Sequence, residues 1–86
     1  MTQSNHILLV ESDANLSMVV ADYLRGKSYV VDTARDGQEA WDLIPKRHYD
    51  IVLSNITMPH INGYELLKLI RSSYATMPVM FISDKK

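Results

Sequence analysis

Three short stretches place polar side chains directly after apolar runs: Glu11-Ser12-Asp13 after Ile7-Leu8-Leu9-Val10, Ser54-Asn55 after Ile51-Val52-Leu53, and Ser83-Asp84 after Val79-Met80-Phe81-Ile82. Carboxylates grouped in this way can hold a hard divalent cation through their oxygens, and a carboxylate held beside such a cation can attack an electrophile. Asn55 breaks the pattern, because its amide nitrogen lone pair is delocalised and the side chain offers no anionic nucleophile. An uncharged residue therefore sits where the surrounding sequence leads one to expect a carboxylate.

The elements that would position these residues follow from the periodicity. The run Ile7 to Val10 predicts a first strand over about 6 to 11, buried on both faces and ending where the acidic residues meet solvent. Leu16, Val19, Val20, Tyr23 and Leu24 recur at helical spacing, with Asp13 or Ser12 placed to cap and Gly26 placed to stop. Tyr29 to Ala34 is β-rich, and Asp36-Gly37-Gln38-Glu39 opens a helix carrying Ala40, Trp41, Leu43 and Ile44 that Pro45 should shorten or kink. A third strand is predicted over Asp50 to Ser54. Asn62 and Glu65 have capping-box spacing ahead of Leu66, Leu67, Leu69 and Ile70, Ser72 to Thr76 reads as loop, and Val79 to Ile82 reads as a fourth strand.

Short apolar strands alternating with helices, joined by links too long for hairpins, imply βαβ crossovers and a parallel sheet between helices. In such doubly wound α/β folds the site lies outside the carboxyl ends of the strands. That is where Glu11, Ser12, Asp13, Asn55, Ser83 and Asp84 would gather. The 86 residues predict one small domain with a modest core, since a chain of this size buries only about 60 to 65% of its extended surface.

Composition narrows the function classes. The formal net charge is -1 and the basic residues are scattered, so nucleic-acid contact by this segment is not expected. The absence of cysteine excludes a thiolate nucleophile and a sulfur-based zinc cluster, and it fits a reducing compartment. The apolar run near the N-terminus is too short for a signal peptide or a membrane span, so a cytoplasmic location is the expectation. His6, His48 and His60 lack metal-ligand spacing on any shared element and are expected at the surface. Trp41 and the methionines are assigned to packing.

Taken together, HILLVESDANL, DIVLSNITMPHING and PVMFIS resemble the first, third and fourth strands of the receiver domains of two-component response regulators, in order and at the right spacing over the whole chain. The resemblance implies a flavodoxin-like (CheY-like) sheet with strand order 2-1-3-4. It implies a phosphorelay signalling role, with a sensor histidine kinase as partner and an output domain outside this chain. In an active member, a carboxylate ending strand three accepts a phosphoryl group while Mg2+ neutralises the charge on it. Position by position, the resemblance puts the acceptor at Asn55, the acidic pair at Glu11 and Ser12, a backbone metal contact at Thr57 and the switch hydroxyl at Ser83.

Asn55 and Ser12 depart from that pattern, which leaves Glu11 as the one charge of three, with Asp13 one position late. The expectation is a receiver that is not phosphorylated at the usual site, binds Mg2+ weakly or not at all, catalyses nothing and acts by protein contact. Two alternatives stand beside it: an active receiver carrying an Asp-to-Asn block at Asn55, and an assembly domain that dimerises through an open strand-four edge. The family continues with a further strand, bearing a lysine, and two helices, so a C-terminally incomplete domain is also expected. The plain roles are helix capping for Glu11 and Asp13, a turn for Asn55 and a strand-end hydroxyl for Ser83.

Overall fold

A computed structural model describes residues 5–82 of the chain. Four parallel strands form the sheet: β1 (His6–Val10), β2 (Val30–Ala34), β3 (Ile51–Asn55) and β4 (Val79–Ile82), in the order β2-β1-β3-β4. Three helices connect them: α1 (Ala14–Gly26), α2 (Gly37–Leu43) and α3 (Gly63–Ser73). This is the doubly wound order the resemblance implied. Ser83 and Asp84 lie outside the described residues.

The two-residue alternation of strands sorts their side chains onto opposite faces. Leu8, Val10, Val52 and Ala34 pack with Ala40 of α2 and Leu66 and Ile70 of α3 on one face. Ile7, Leu9 and Val31 pack with Ala21 of α1 on the other, where Ile51, Leu53 and Ile82 are only partly covered. Each fully buried aliphatic side chain contributes about 1.5 to 3 kcal/mol. Two helices therefore cover one face and a single helix covers part of the other.

Each helix begins on a carboxylate or amide cap. The Asp13 carboxylate accepts from the backbone N–H groups of Asn15 and Leu16 at 3.0 and 3.1 Å, which settles the start of α1 in favour of Asp13 over Ser12. Asp36 accepts from Glu39 N at 2.8 Å, and Asn62 and Glu65 form a complete reciprocal capping box. After α2 a single 3-10 turn, Ile44–Lys46, carries Pro45, so the proline tightens the helix end as its ring requires.

Several expected boundaries move. β1 stops at Val10, β2 starts at Val30, β3 runs from Ile51 to Asn55, and α3 continues to Ser73 into the stretch read as loop. The larger difference concerns α1, whose buried residues are Ser17 and Ala21 while Leu16, Met18, Val19 and Tyr23 are exposed. Small side chains let this helix lie close on the sheet, Val20 and Leu24 pack beside them, and Leu16, Met18, Val19 and Tyr23 are left outside.

The sheet has two unlike edges. On β2 the Arg25 guanidinium donates to the Val31 carbonyl at 2.8 Å, and Asp32 is held by the Tyr49 hydroxyl at 2.7 Å and Arg47 at 3.4 Å. On β4, Met80 is exposed and Phe81 stacks edge-on against Tyr64 with ring centroids 5.2 Å apart.

Candidate functional site

β1 and β3 are neighbours in register, with Val10 opposite Ser54, so the residues ending them meet. Glu11 and Asn55 are both buried, at 4% and 5% exposure. The Asn55 Nδ2 donates to Glu11 Oε1 at 2.8 Å, and the second carboxylate oxygen, Oε2, accepts from Asp13 N at 3.0 Å. Asn55 Oδ1 accepts from Thr57 N at 3.3 Å. These bonds fix the orientation of the amide, because the reversed rotamer would set oxygen against carboxylate and NH2 against N–H.

The remaining residues singled out from the sequence surround this pair. Ser12 and Thr57 are exposed beside it, and the Asp13 carboxylate is turned to the cap of α1. The turn after β3 is pinned from behind, where Gly63 N donates to Ile56 O at 2.8 Å. A Cβ on Gly63 would lie 2.5 Å from Asn55 O and 3.1 Å from a Phe81 ring carbon, so the residue must be glycine for α3 to start here. Gly37 is equally confined, with the Ile61 carbonyl oxygen 2.4 Å from an added Cβ. The starts of α2 and α3 thus grip the loop that leaves Asn55.

Sequence reasoning placed Glu11 and Asn55 at one site but did not foresee that they bond to each other. The available signal was chemical: an amide donor beside a lone carboxylate. Of the histidines, His48 and His60 are exposed, while His6 is half-buried at the opposite end of the sheet. There its backbone N donates to Asp50 Oδ2 at 2.8 Å and its Nδ1 lies 3.1 Å from the His48 carbonyl oxygen. The backbone donation from His6 lowers the Asp50 pKa, with the neighbouring His48 adding to the shift.

Mg2+ demands a near-octahedral shell of oxygens. Both Glu11 oxygens and Asn55 Oδ1 already accept N–H donors. Among the described residues no group of three or more His, Cys, Asp or Glu could hold a metal ion, and no helix is long and apolar enough to cross a membrane.

The family described as "Response regulator receiver domain" matches residues 7–86. A probable transcriptional regulator, ycf29, of Porphyra purpurea is 40% identical over 84 residues, covering 95% of this chain and 40% of that protein. The transcriptional regulatory protein RprY of Bacteroides fragilis is 32% identical over 85 residues, covering 99% of this chain and 36% of that protein. The chain thus spans well under half the length of these curated relatives. Among solved structures, the response regulator TrrA of Thermotoga maritima in complex with Mg(2+)-BeF superimposes with a TM-score of 0.90 at 28% identity, covering 95% of this chain and 71% of that one.

Proposed function

The chain belongs to the response regulator receiver family, and from that premise we propose that it is a two-component signalling module that is not phosphorylated at Asn55 and acts through protein contact. The observation that carries this reading is the hydrogen bond from Asn55 to buried Glu11. An amide occupies the acceptor position and donates a proton to the one remaining acid, whereas phosphoryl acceptance needs an anionic oxygen beside a bound cation. Ser12, a neutral hydroxyl, stands in the acidic pair, so Mg2+ binding is weak or absent. Asp13 does not replace it, because its carboxylate is committed to α1. Ser83 at the switch position then has no phosphoryl group to grip.

The contact face in this reading is α1, whose Leu16, Val19 and Tyr23 are exposed at helical spacing along one side. A helix that buries serine and alanine and displays larger apolar residues fits a partner better than solvent. The partner classes are a sensor histidine kinase or another signalling protein, with the output domain outside this segment. The relatives named as transcriptional regulators suit an output on gene expression. A separate reading, pairing of two copies through β4, is favoured by the exposed Met80 on an edge strand.

The test is intact-mass spectrometry after incubation with acetyl phosphate and magnesium, before and after mild base, which cleaves acyl phosphates. No added phosphate is the expected result. A base-labile phosphate on the unmodified chain would sink the reading. If Asn55→Asp alone restores acceptance and tight magnesium binding despite Ser12, Asn55 is a block in an otherwise active receiver. Light scattering over a range of concentrations tests β4 pairing, and a strict monomer at high concentration ends it.

A further inference from the structure

We propose that the Asn55 side-chain amide is a built-in substitute for a divalent cation, a clamp on Glu11 that holds the ends of β1 and β3 in one state without metal. The inference rests on the reading of Asn55 as the acceptor position and goes beyond it. Lack of phosphorylation requires only that Asn55 be unreactive; the clamp gives it a structural task.

A carboxylate removed from water needs compensating charge or hydrogen bonds. Glu11 is 4% exposed and forms no ion pair with Lys, Arg or His among the described residues. Its compensation is two N–H donors, the Asn55 amide on Oε1 at 2.8 Å and the Asp13 backbone on Oε2 at 3.0 Å. Hydrogen bonds to a charged acceptor are stronger than neutral ones, and desolvation strengthens them further. No buried side-chain nitrogen or oxygen lacks a partner among the described residues, so the arrangement is closed on itself. A cation approaching Glu11 would meet the positive end of the amide and would have to displace it.

The clamp joins residues 44 apart in sequence, at the ends of adjacent strands. Asn55 Oδ1 carries the link onward to Thr57 N and into the turn before α3. A receiver that uses metal and phosphate exchanges between arrangements at this point. Here the amide supplies a fixed one, so the surface presented to partners is constitutive.

Thermal unfolding at one pH tests this, with the unmodified chain, Asn55→Asp, and the double substitution Glu11→Gln with Asn55→Asp, each in chelator and in magnesium. The unmodified chain should give the same midpoint in both. Asn55→Asp sets two carboxylates at hydrogen-bond distance, and its midpoint in chelator should fall by roughly 10 °C for a domain of this size. Magnesium should restore part of that fall. The double substitution exchanges donor and acceptor and should recover most of the fall in chelator, a coupling that independent sites would not show. It also keeps the test readable if the single variant does not fold.

The clamp is overturned if Asn55→Asp matches the unmodified chain in chelator. It is equally overturned if magnesium stabilises the unmodified chain as much as that variant, or if the double substitution is no better than the single. These outcomes are separate from the mass measurement: a phosphorylated unmodified chain removes the premise, whereas an inert chain that fails the thermal test removes the clamp alone.

Discussion

β1 and β3 are tied together by a carboxylate at each end, and the two ties differ in kind. At the carboxyl end, buried Glu11 accepts from the Asn55 amide. At the amino end, exposed Asp50 accepts from His6 N, while its own backbone N donates to His6 O at 2.8 Å. The buried tie has no water to replace a lost partner, so removing one member exposes the other to the full desolvation cost. The exposed tie is backed by water and screened by salt. The same two strands thus have one end that is specified and one that is merely assisted.

The largest expected effect breaks the specified end from behind. Gly63→Ala forces a Cβ against the Asn55 carbonyl and the Phe81 ring, and overpacking on backbone should cost about 2 to 3 kcal/mol, read as a lower denaturant midpoint. If the variant is as stable as the parent, the loop after Asn55 is softer than its contacts indicate.

An intermediate effect sharpens the picture at the amino end. Tyr49 is buried and its hydroxyl donates to Asp32, and burial, followed by that carboxylate, pushes the phenol well above its ordinary value. Tyr49→Phe should cost about 1 kcal/mol, because Asp32 keeps Arg47 at 3.4 Å. A raised folded-state value means that the folded chain holds its proton longer than the unfolded chain. The contribution is therefore complete below the ordinary tyrosine value of about 10 and is lost as pH rises above it. Urea titrations at several alkaline pH values should show that slope in the parent and a reduced slope in the variant. Equal slopes would refute the assignment.

The smallest effect concerns Asp50. Its lowered pKa, due first to the His6 backbone donor, makes its contribution present above the ordinary aspartate value of about 4 and lost as pH falls through the folded-state value. Asp50→Asn should lower the thermal midpoint slightly at neutral pH, with the difference disappearing in acid. A larger loss than that of Tyr49→Phe would mean that the exposed end is not the weaker one.

The sequence made the strands legible because Leu8, Val10, Val52 and their neighbours form short apolar runs between turn residues, and it made the caps legible because capping is local. Asp13, Asp36 and Asn62 all cap as their spacing implied. The face of α1 was legible only in part. Of the residues at helical spacing, Val20 and Leu24 pack against the sheet while Leu16, Val19 and Tyr23 face outward, and periodicity alone cannot tell which edge of such a stripe meets the sheet. Ser17 and Ala21 held the clue, since close helix-to-sheet approach needs small residues. The pairing of Glu11 with Asn55 spans too much chain for any local rule, and it was the doubly wound topology, with the resemblance to receivers, that put the two at one place. The resemblance assigned roles there; the donor-to-acceptor geometry between them needed coordinates.

The guanidinium of Arg25 on the Val31 carbonyl has a consequence for how copies of this chain could add to one another. It occupies an outward acceptor on β2, so the sheet is obstructed at that margin, while β4 is the other edge strand among the described residues. Two copies joined by β4 across a two-fold axis would run as one continuous sheet with an obstructed β2 at either end. Growth would then terminate at a pair instead of propagating into a fibre.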